Sequence, residues 1–392
     1  MDVDPAEGLR YLDHASTSFP TLPGVLEAMH DFGLRACVSP GRATYDLGLV
    51  ADTMVQDCRR ALARLFGAPD PDRIVFGLNA TDALNLAIAG RLGGGGHVIT
   101  TRLEHNSVLR PLAHLADERG VEVTLIDFGG QGLIDPDDVR EALRPDTRLV
   151  ILTHASNVLG TVQPVAEVGA LCREAGVPLL VDAAQSAGLL SIDVQAMQID
   201  LLAFTGHKAL LGPTGVGGLV VAPGIELHHS RVGGTGADSI SRRHLEGYPH
   251  RLEAGTPNLL GIAGLAAALA HLEAEGGPAA RHAREQALHE RLWEGLNAIE
   301  GVTLLGPDTA GSTRDRVPLL SFLLAGMDPA QVGTRLDVDH AVACRTGLHC
   351  APLCHERLGT TPEGAVRFSL GWTTTADDLE ACLQAVRELA SA

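Results

Sequence analysis

From residue 72 onward the chain alternates short β-rich runs with amphipathic stretches, and this repeat limits the fold more than any other feature of the sequence. RIVFG (73–77) precedes ATDALNLAIAGRL, HVITT (97–101) precedes SVLRPLAHLADERG, and VEVTLIDF (121–128) precedes DPDDVREALR. RLVILTH (148–154), VPLLVDAA (177–184), DLLAFTG (200–206) and VGGLVVA (216–222) continue the series. Runs such as LVILTH and PLLVDAA are apolar on both faces, which suits strands covered by helices on each side of a sheet. The pattern predicts an α/β domain with a mostly parallel sheet. After about residue 260 the texture changes. An alanine-rich helical stretch, GIAGLAAALAHLEAE, and a second helix from Arg281 to Ile299 lead to candidate strands VTLLG, VPLLSFLLAG, AVACRTG and AVRFSLG. With helices expected at DPAQVGTRLD and TADDLEACLQAVRELA, this part predicts a smaller α+β domain.

With 392 residues and 45% hydrophobic content, the chain can bury a substantial core in more than one domain. No run approaches the roughly 18 consecutive apolar residues that a membrane helix needs. The acidic start MDVDPAEGLR lacks the basic and apolar regions of a signal peptide, so the expected compartment is the cytoplasm, with no membrane partner. A net charge of −18 argues against a nucleic acid partner. Seven cysteines form no disulfide framework in a chain this long, and Cys37, Cys58, Cys172, Cys344 and Cys382 are expected to pack as small reduced hydrophobes. Of thirty basic residues only one, Lys208, is lysine. Arginine neither forms a Schiff base nor titrates near neutral pH, so any covalent amine chemistry falls to Lys208.

In open α/β sheets ligands bind outside the carboxyl ends of the strands, so residues just after each strand are the first site candidates. These are Asn79 and Thr81 after RIVFG, Glu104 and His105 after HVITT, and His154 and Asn157 after LVILT. Asp182 and Gln185 follow PLLV, and Thr205, His207 and Lys208 follow LLAF. Five sets on one edge, one of them holding the only lysine, fit pyridoxal phosphate, whose aldehyde needs a lysine and whose ring nitrogen needs a carboxylate. Asp182, in the apolar frame LLVDAA, suits the carboxylate role. The helix start Ala80-Thr81-Asp82 offers backbone N–H groups, a hydroxyl and the helix dipole to a phosphate, although Thr81 and Asp82 also read as a plain helix cap. His105 suits stacking on the ring and Gln185 a hydrogen bond to its phenolic oxygen.

These residues sit in longer matching segments: YLDHAST, SPGRATYDL, LEHNSVL, HASNVLGTVQP, VDAAQSAG, FTGHKALLGPTGVGGL, LEAGTPN, RTGLHCAP and VRFSLGW. Through them the chain resembles class V aminotransferase-fold proteins, and within these the cysteine desulfurases and selenocysteine lyases of the SufS type. The resemblance spans essentially the whole chain. It implies a pyridoxal-phosphate-dependent transferase of fold type I, α/β, with a large domain built on a mostly parallel sheet and a smaller α+β C-terminal domain. The expected division is an N-terminal segment, 1–20, packing with the small domain, a cofactor-binding large domain, 21–260, and a small domain, 261–392, carrying a catalytic cysteine loop.

Residue by residue, the resemblance implies Lys208 as the Schiff-base lysine, Asp182 on the ring nitrogen, Gln185 on the phenolic oxygen and His105 stacked on the ring in a catalytic role. It implies phosphate contacts from Ala80, Thr81, Thr205 and His207, with Thr256 reaching in from a second subunit of a homodimer. Asn157 and Arg367 are implied to hold the substrate carboxylate, with Arg345 beside them, and Cys350 to be the nucleophile. The implied activity is that of a cysteine desulfurase, which converts L-cysteine to L-alanine, leaves a persulfide on Cys350 and passes sulfur to an acceptor protein or thiol. Selenocysteine lyase, or another C–S lyase or epimerase on the same fold, is the alternative.

RTGLHCAPLCHERLG (345–359) remains open in part. Arg345 and His349 are the local candidates for a cation that favours the Cys350 thiolate, and both also read as solvated loop charge, His349 more so than Arg345. Cys354 resolves the persulfide, passes sulfur onward or packs inertly, with inert packing the default. Two Cys and two His in this stretch also allow a distant alternative, a metal or redox module, although the usual CxxC knuckle is missing and no metal is expected.

Overall fold

Apolar runs four to seven residues long form the strands of a large sheet because, in all but the largely exposed edge run EVTLI, both of their faces find helices to pack on. The computed structural model describes residues 8–40, 45–238, 240–307 and 316–391. After a short strand β1 (Arg10–Tyr11), helices α1 (Pro23–Arg35) and α2 (Asp46–Phe66) lead to β2 (Ile74–Gly77). The alternation then runs α3 (Ala80–Leu92), β3 (His97–Thr101), α4 (Asn106–Arg119), β4 (Glu122–Ile126), α5 (Pro136–Ala142), β5 (Thr147–Thr153), α6 (Val165–Ala175), β6 (Leu179–Asp182), β7 (Leu201–Thr205) and β8 (Gly217–Val221). Helices α7 (Leu259–Ala274) and α8 (Gly277–Asn297) precede β9 (Val302–Leu304), β10 (Leu319–Leu324) and α9 (Pro329–His340). The chain closes with β11 (Val342–Ala343), β12 (Arg345–Gly347), α10 (Pro352–Leu358), β13 (Ala365–Ser369) and α11 (Ala376–Ala390).

All seven strands expected between residues 73 and 222 join one sheet in the order β2-β8-β7-β6-β5-β3-β4. Pairing is parallel from β7 through β6, β5 and β3 to β4, and β8 alone runs the other way, antiparallel to both β7 and β2. The two apolar faces separate cleanly. Ile99, Val150, Leu152, Leu179 and Val181 pack into one core, and Val98, Leu149, Ile151 and Leu180 into the other. This alternation is the period-2 geometry of a strand buried on both sides.

A four-stranded antiparallel sheet, β12-β13-β10-β9, forms the second unit, with α8 and α11 sharing its core. The N-terminal segment joins it: β1 pairs in parallel with β11, and Leu12 is fully buried in that core. Residues 1–7 of the expected 1–20 segment lie outside the described residues. The expected boundary at 261 shifts. Leu259, Ile262, Leu265, Leu269 and Leu272 of α7 pack into the large core with residues of α2, so the core changes between α7 and α8. The alanine-rich texture marked a closely packed helix of the large unit rather than the start of the small one. Among the described residues no single helix is long and apolar enough to cross a membrane.

Candidate active site

The carboxyl ends of β5, β6 and β7 lie side by side, because Thr153 pairs with Asp182 and Asp182 with Ala203 across the parallel ladder. A cavity of about 240 Å³ opens above them, lined by Thr153, Asn157, Asp182, Gln185, Thr205, His207 and Lys208. Asn79, Ala80, Thr81, His105 and Ser107 line it from the starts of α3 and α4. Arg345, His349 and Arg367 line it from the small unit. Burial brings the Lys208 amine down to about 8, against the pull of Asp182 in the other direction, and Arg367 and Arg345 lower it further. Burial pushes the Asp182 carboxyl up, while the Ala184 N–H and Lys208 hold it down. A lysine so placed reaches its neutral, nucleophilic form near neutral pH.

At the start of α3 the capping and binding readings divide between residues. Asn79 is the N-cap, its side chain accepting from the Asp82 N–H at 3.0 Å, and Asp82 accepts from the Leu78 N–H at 2.9 Å. Thr81 is no cap: its hydroxyl meets Ser107 Oγ at 2.7 Å beside the cavity. This turn sits tight over the sheet because Gly217 of β8 lies beneath it, where a Cβ would come within 2.8 Å of the Asn79 backbone. Ser107 also donates its N–H to His105 Nδ1 at 3.0 Å, leaving the ring proton on Nε2. Burial, then Lys208, lowers His105 to about 4, so the ring is neutral.

The arginines come from the small sheet. Arg345 on β12 and Arg367 on β13 are direct cross-strand partners, so their side chains leave the same face. Like charges opposite one another are unfavourable without an anion, and Asp13 supplies one, its carboxylate 2.9 Å from Arg367 Nη2. Ser16 links the pair, accepting from Arg345 Nη1 at 2.8 Å and from Arg367 Nη2 at 3.1 Å. Arg367 Nε is buried with no hydrogen-bond partner, as is the Thr205 hydroxyl. Two orphaned polar groups beside a cavity with a helix start at one end match two ligands, one presenting a carboxylate and the other a phosphate.

Beyond β12 the chain turns through His349 and Cys350, both with positive φ, 50° and 58°. Left-handed backbone costs non-glycine residues about 1–2 kcal/mol each. Two hydrogen bonds from the large unit hold the turn: Asn157 Nδ2 donates to the His349 carbonyl at 2.6 Å and the Asn106 N–H to the Cys350 carbonyl at 2.7 Å. At about 1 kcal/mol each these offset only part of the strain. Burial of Ala351 and Cys354, both fully covered in the large core, offsets the rest at about 1 kcal/mol per side chain. Cys350 Sγ lies 3.8 Å from Arg345 Nη2, one residue beyond the cavity-lining His349.

Comparison with known proteins gives the family. The family model for aminotransferase class-V matches residues 10–382. The chain belongs to the class-V aminotransferase family. Among curated class-V relatives, a probable cysteine desulfurase of Methanothermobacter thermautotrophicus is 34% identical over 97% of this chain and 94% of its own length. One from Pseudomonas aeruginosa is 36% identical over 96% and 92%. A solved apo cysteine desulfurase from Thermococcus onnurineus superposes with a TM-score of 0.88 at 32% identity, covering 99% of this chain and 98% of that one. The Escherichia coli cysteine desulfurase CsdA gives a TM-score of 0.87 at 28% identity, covering 100% and 99%.

Within this class-V site, most residues singled out in the sequence line the cavity, and the exceptions have physical reasons. Glu104 and His154 turn inward: both are buried, Glu104 accepting from Thr101 and the Thr153 N–H while burial raises it to about 8, and His154 meeting Ser186 at 2.9 Å. Gln185 lines the cavity with its amide donating to the Ala15 carbonyl at 3.1 Å. Thr256 is exposed and lines a separate pocket with Leu78 and Arg231, away from Lys208. His349 is neither a solvated charge nor a cation beside the thiol. It is 3% exposed, and burial, Arg367 and His355 drive it down to about 2. Cys354 faces the core with its thiol pushed up to about 12 by burial, so it does not share a site with Cys350. Among the described residues no group of three or more His, Cys, Asp or Glu side chains is arranged to hold a metal ion. Asp13, Ser16 and Ser107 escaped the sequence reading. YLDHAST is one of the matching segments, but nothing local says that its Asp and Ser reach arginines more than three hundred residues away.

Proposed function

We propose that the protein is a pyridoxal-phosphate-dependent cysteine desulfurase that converts L-cysteine to L-alanine and takes the sulfur onto Cys350. One observation carries the reading: Lys208, Asp182, Arg345 and Arg367 line one cavity, and the Cys350 thiol lies 3.8 Å from Arg345 Nη2. The relatives named for this activity match nearly end to end, which supports the same assignment. Pyridoxal phosphate fits the donor set, with Lys208 for its aldehyde, Asp182 for its ring nitrogen, and Ala80, Thr81, Thr205 and His207 for its phosphate. When bound, it supplies a carbonyl for the substrate amine and a ring that accepts the electron pair freed at Cα.

The chain's own residues do the rest. Arg367, with Arg345 and Asn157, holds the carboxylate and so sets which bond at Cα is turned for cleavage. The Lys208 amine, brought down to about 8, takes the Cα proton. The Cys350 thiolate, beside the Arg345 guanidinium, attacks the substrate sulfur: an S–S bond forms, the Cβ–S bond breaks, and the electron pair stays with carbon. Protonation of that carbon and return of a proton from Lys208 to Cα yield alanine, and the persulfide is the form handed to an acceptor thiol or protein. The neutral His105 ring offers a flat apolar face that adds no charge to the site.

Thr256 completes the cofactor site if a second copy of the chain brings it there, as a homodimer does. Its exposure, with exposed Leu78 and Leu260 nearby in sequence or pocket, is consistent with a covered surface in the assembly. Mass spectrometry of the holoprotein after L-cysteine tests the central claim. One added sulfur on the peptide containing Cys350, together with free alanine, is expected. Sulfide and pyruvate in place of alanine, with no adduct and no change in Cys350→Ala, would point to plain elimination instead.

A further inference from the structure

The carboxylate end of the cavity and the Cys350 turn are joined through one residue, Asn157. It is buried, 7% exposed, and lines the cavity. Its backbone carbonyl accepts from Arg367 Nη1 at 3.0 Å, and its side-chain Nδ2 donates to the His349 carbonyl at 2.6 Å. That carbonyl belongs to the first of the two consecutive left-handed residues, and the Asn106 N–H holds the second. The sulfur-bearing residue is thus kept in a strained backbone by two donors, one of which also faces the cavity. Arg345 meets Cys350 Sγ at 3.8 Å in this held state.

We propose that Asn157 is a positioning residue that couples carboxylate binding at Arg367 to the freedom of the Cys350 turn. A carboxylate on Arg367 competes with the His349 carbonyl for the Asn157 amide, and it competes well, because a charged acceptor makes roughly twice as strong a hydrogen bond as a neutral one. When the amide turns to the carboxylate, the His349 carbonyl loses its donor and the 349–350 peptide is free to rotate toward ordinary backbone angles, carrying the thiol with it. Without a carboxylate the turn stays latched and the nucleophile is withheld. The coupling is reciprocal: the released turn favours the carboxylate as much as the carboxylate favours release. The inference rests on reading the cavity as an amino-acid site.

The test uses pyridoxal-phosphate-loaded protein and reads the rate at which iodoacetamide alkylates Cys350, by peptide mass spectrometry, with and without saturating L-alanine. L-alanine carries the carboxylate and amine but no sulfur, and ethylamine, lacking the carboxylate, is the control. L-alanine is expected to speed alkylation roughly fivefold, the effect of losing one ordinary hydrogen bond, and ethylamine to leave it unchanged. Asn157→Leu and the smaller Asn157→Ala, each checked for cofactor absorbance, should react fast without any ligand and gain nothing from L-alanine. A change in cofactor absorbance on adding L-alanine, with no change in alkylation, overturns the coupling while leaving the amino-acid site intact. Variants alkylated as slowly as wild type overturn it too. No absorbance response to L-alanine at any concentration defeats the amino-acid reading, and the coupling with it.

Discussion

Lys208 follows β7, a strand in which all five residues are buried, and its partner Asp182 ends β6 beside it. Cys350 instead sits in a turn with two left-handed residues, held to the large unit by two hydrogen bonds and the packing of the short helix α10. The lysine side is positioned by a ladder that shifts only if the sheet unfolds, whereas the thiol side depends on a few local contacts close to balance with their own strain. Proton transfer at carbon needs the amine held within hydrogen-bond reach of a fixed atom. Sulfur taken up at one place and delivered at another needs a carrier able to move. Under the proposed function, the two regions differ in rigidity as these tasks differ.

Substitutions on the two sides should therefore fail differently. Lys208→Ala is expected to have the largest effect, lowering alanine formation roughly 10²–10⁴-fold, with the cofactor absorbance altered and melting temperature little changed. If alanine formation survives, the rigid side has been misassigned. Cys350→Ala should abolish persulfide formation while the absorbance response to L-alanine persists, separating the two sides in one protein. Arg367→Gln, which removes a buried charged donor, is expected to raise KM for cysteine about ten- to a hundredfold, read from initial rates.

The comparison also has a pH signature. Burial lowers Lys208 to about 8, so the fraction of free amine rises with pH up to that value and levels off above it. Stripped of cofactor, the protein should take up pyridoxal phosphate covalently at a rate that climbs about tenfold per pH unit below pH 8 and then flattens, followed by absorbance after mixing. A rate already flat at pH 6 contradicts the lowered amine. The smallest effect is expected at Cys354→Ala. Its thiol is buried and held up at about 12, so sulfur transfer should be unchanged while stability falls about 1 kcal/mol, seen as a drop of about one degree in Tm. Loss of transfer with alanine formation intact would make Cys354 part of the sulfur route.

The strands were legible because burial on both faces writes itself as apolar runs: RLVILTH and DLLAFTG became β5 and β7 within a residue or so at each end. The small helix α10 was less so, since PLCHERL is short and carries as much charge as apolar surface. Residues at strand ends were also readable as a class, but not which way each turns. His105 and Glu104 are neighbours in sequence, yet one lines the cavity and the other is buried beneath it. His349 reads as exposed from its charged neighbours and is covered, because the chain turns back to bring His355 against its ring while Asn157 and Arg367 come to it from elsewhere in the fold.

By itself the sequence determined the sheet, the lysine and the thiol: strand periodicity is local, and a single lysine among thirty basic residues leaves one amine for covalent chemistry. Only the tertiary structure decided how the thiol side is held. Asp13 reaching Arg367, Arg345 lying beside Arg367 across two strands, and Asn157 gripping the His349 carbonyl are contacts between residues far apart in the chain. Such contacts depend on how two separately packed cores meet, and no local spacing of residues encodes that meeting.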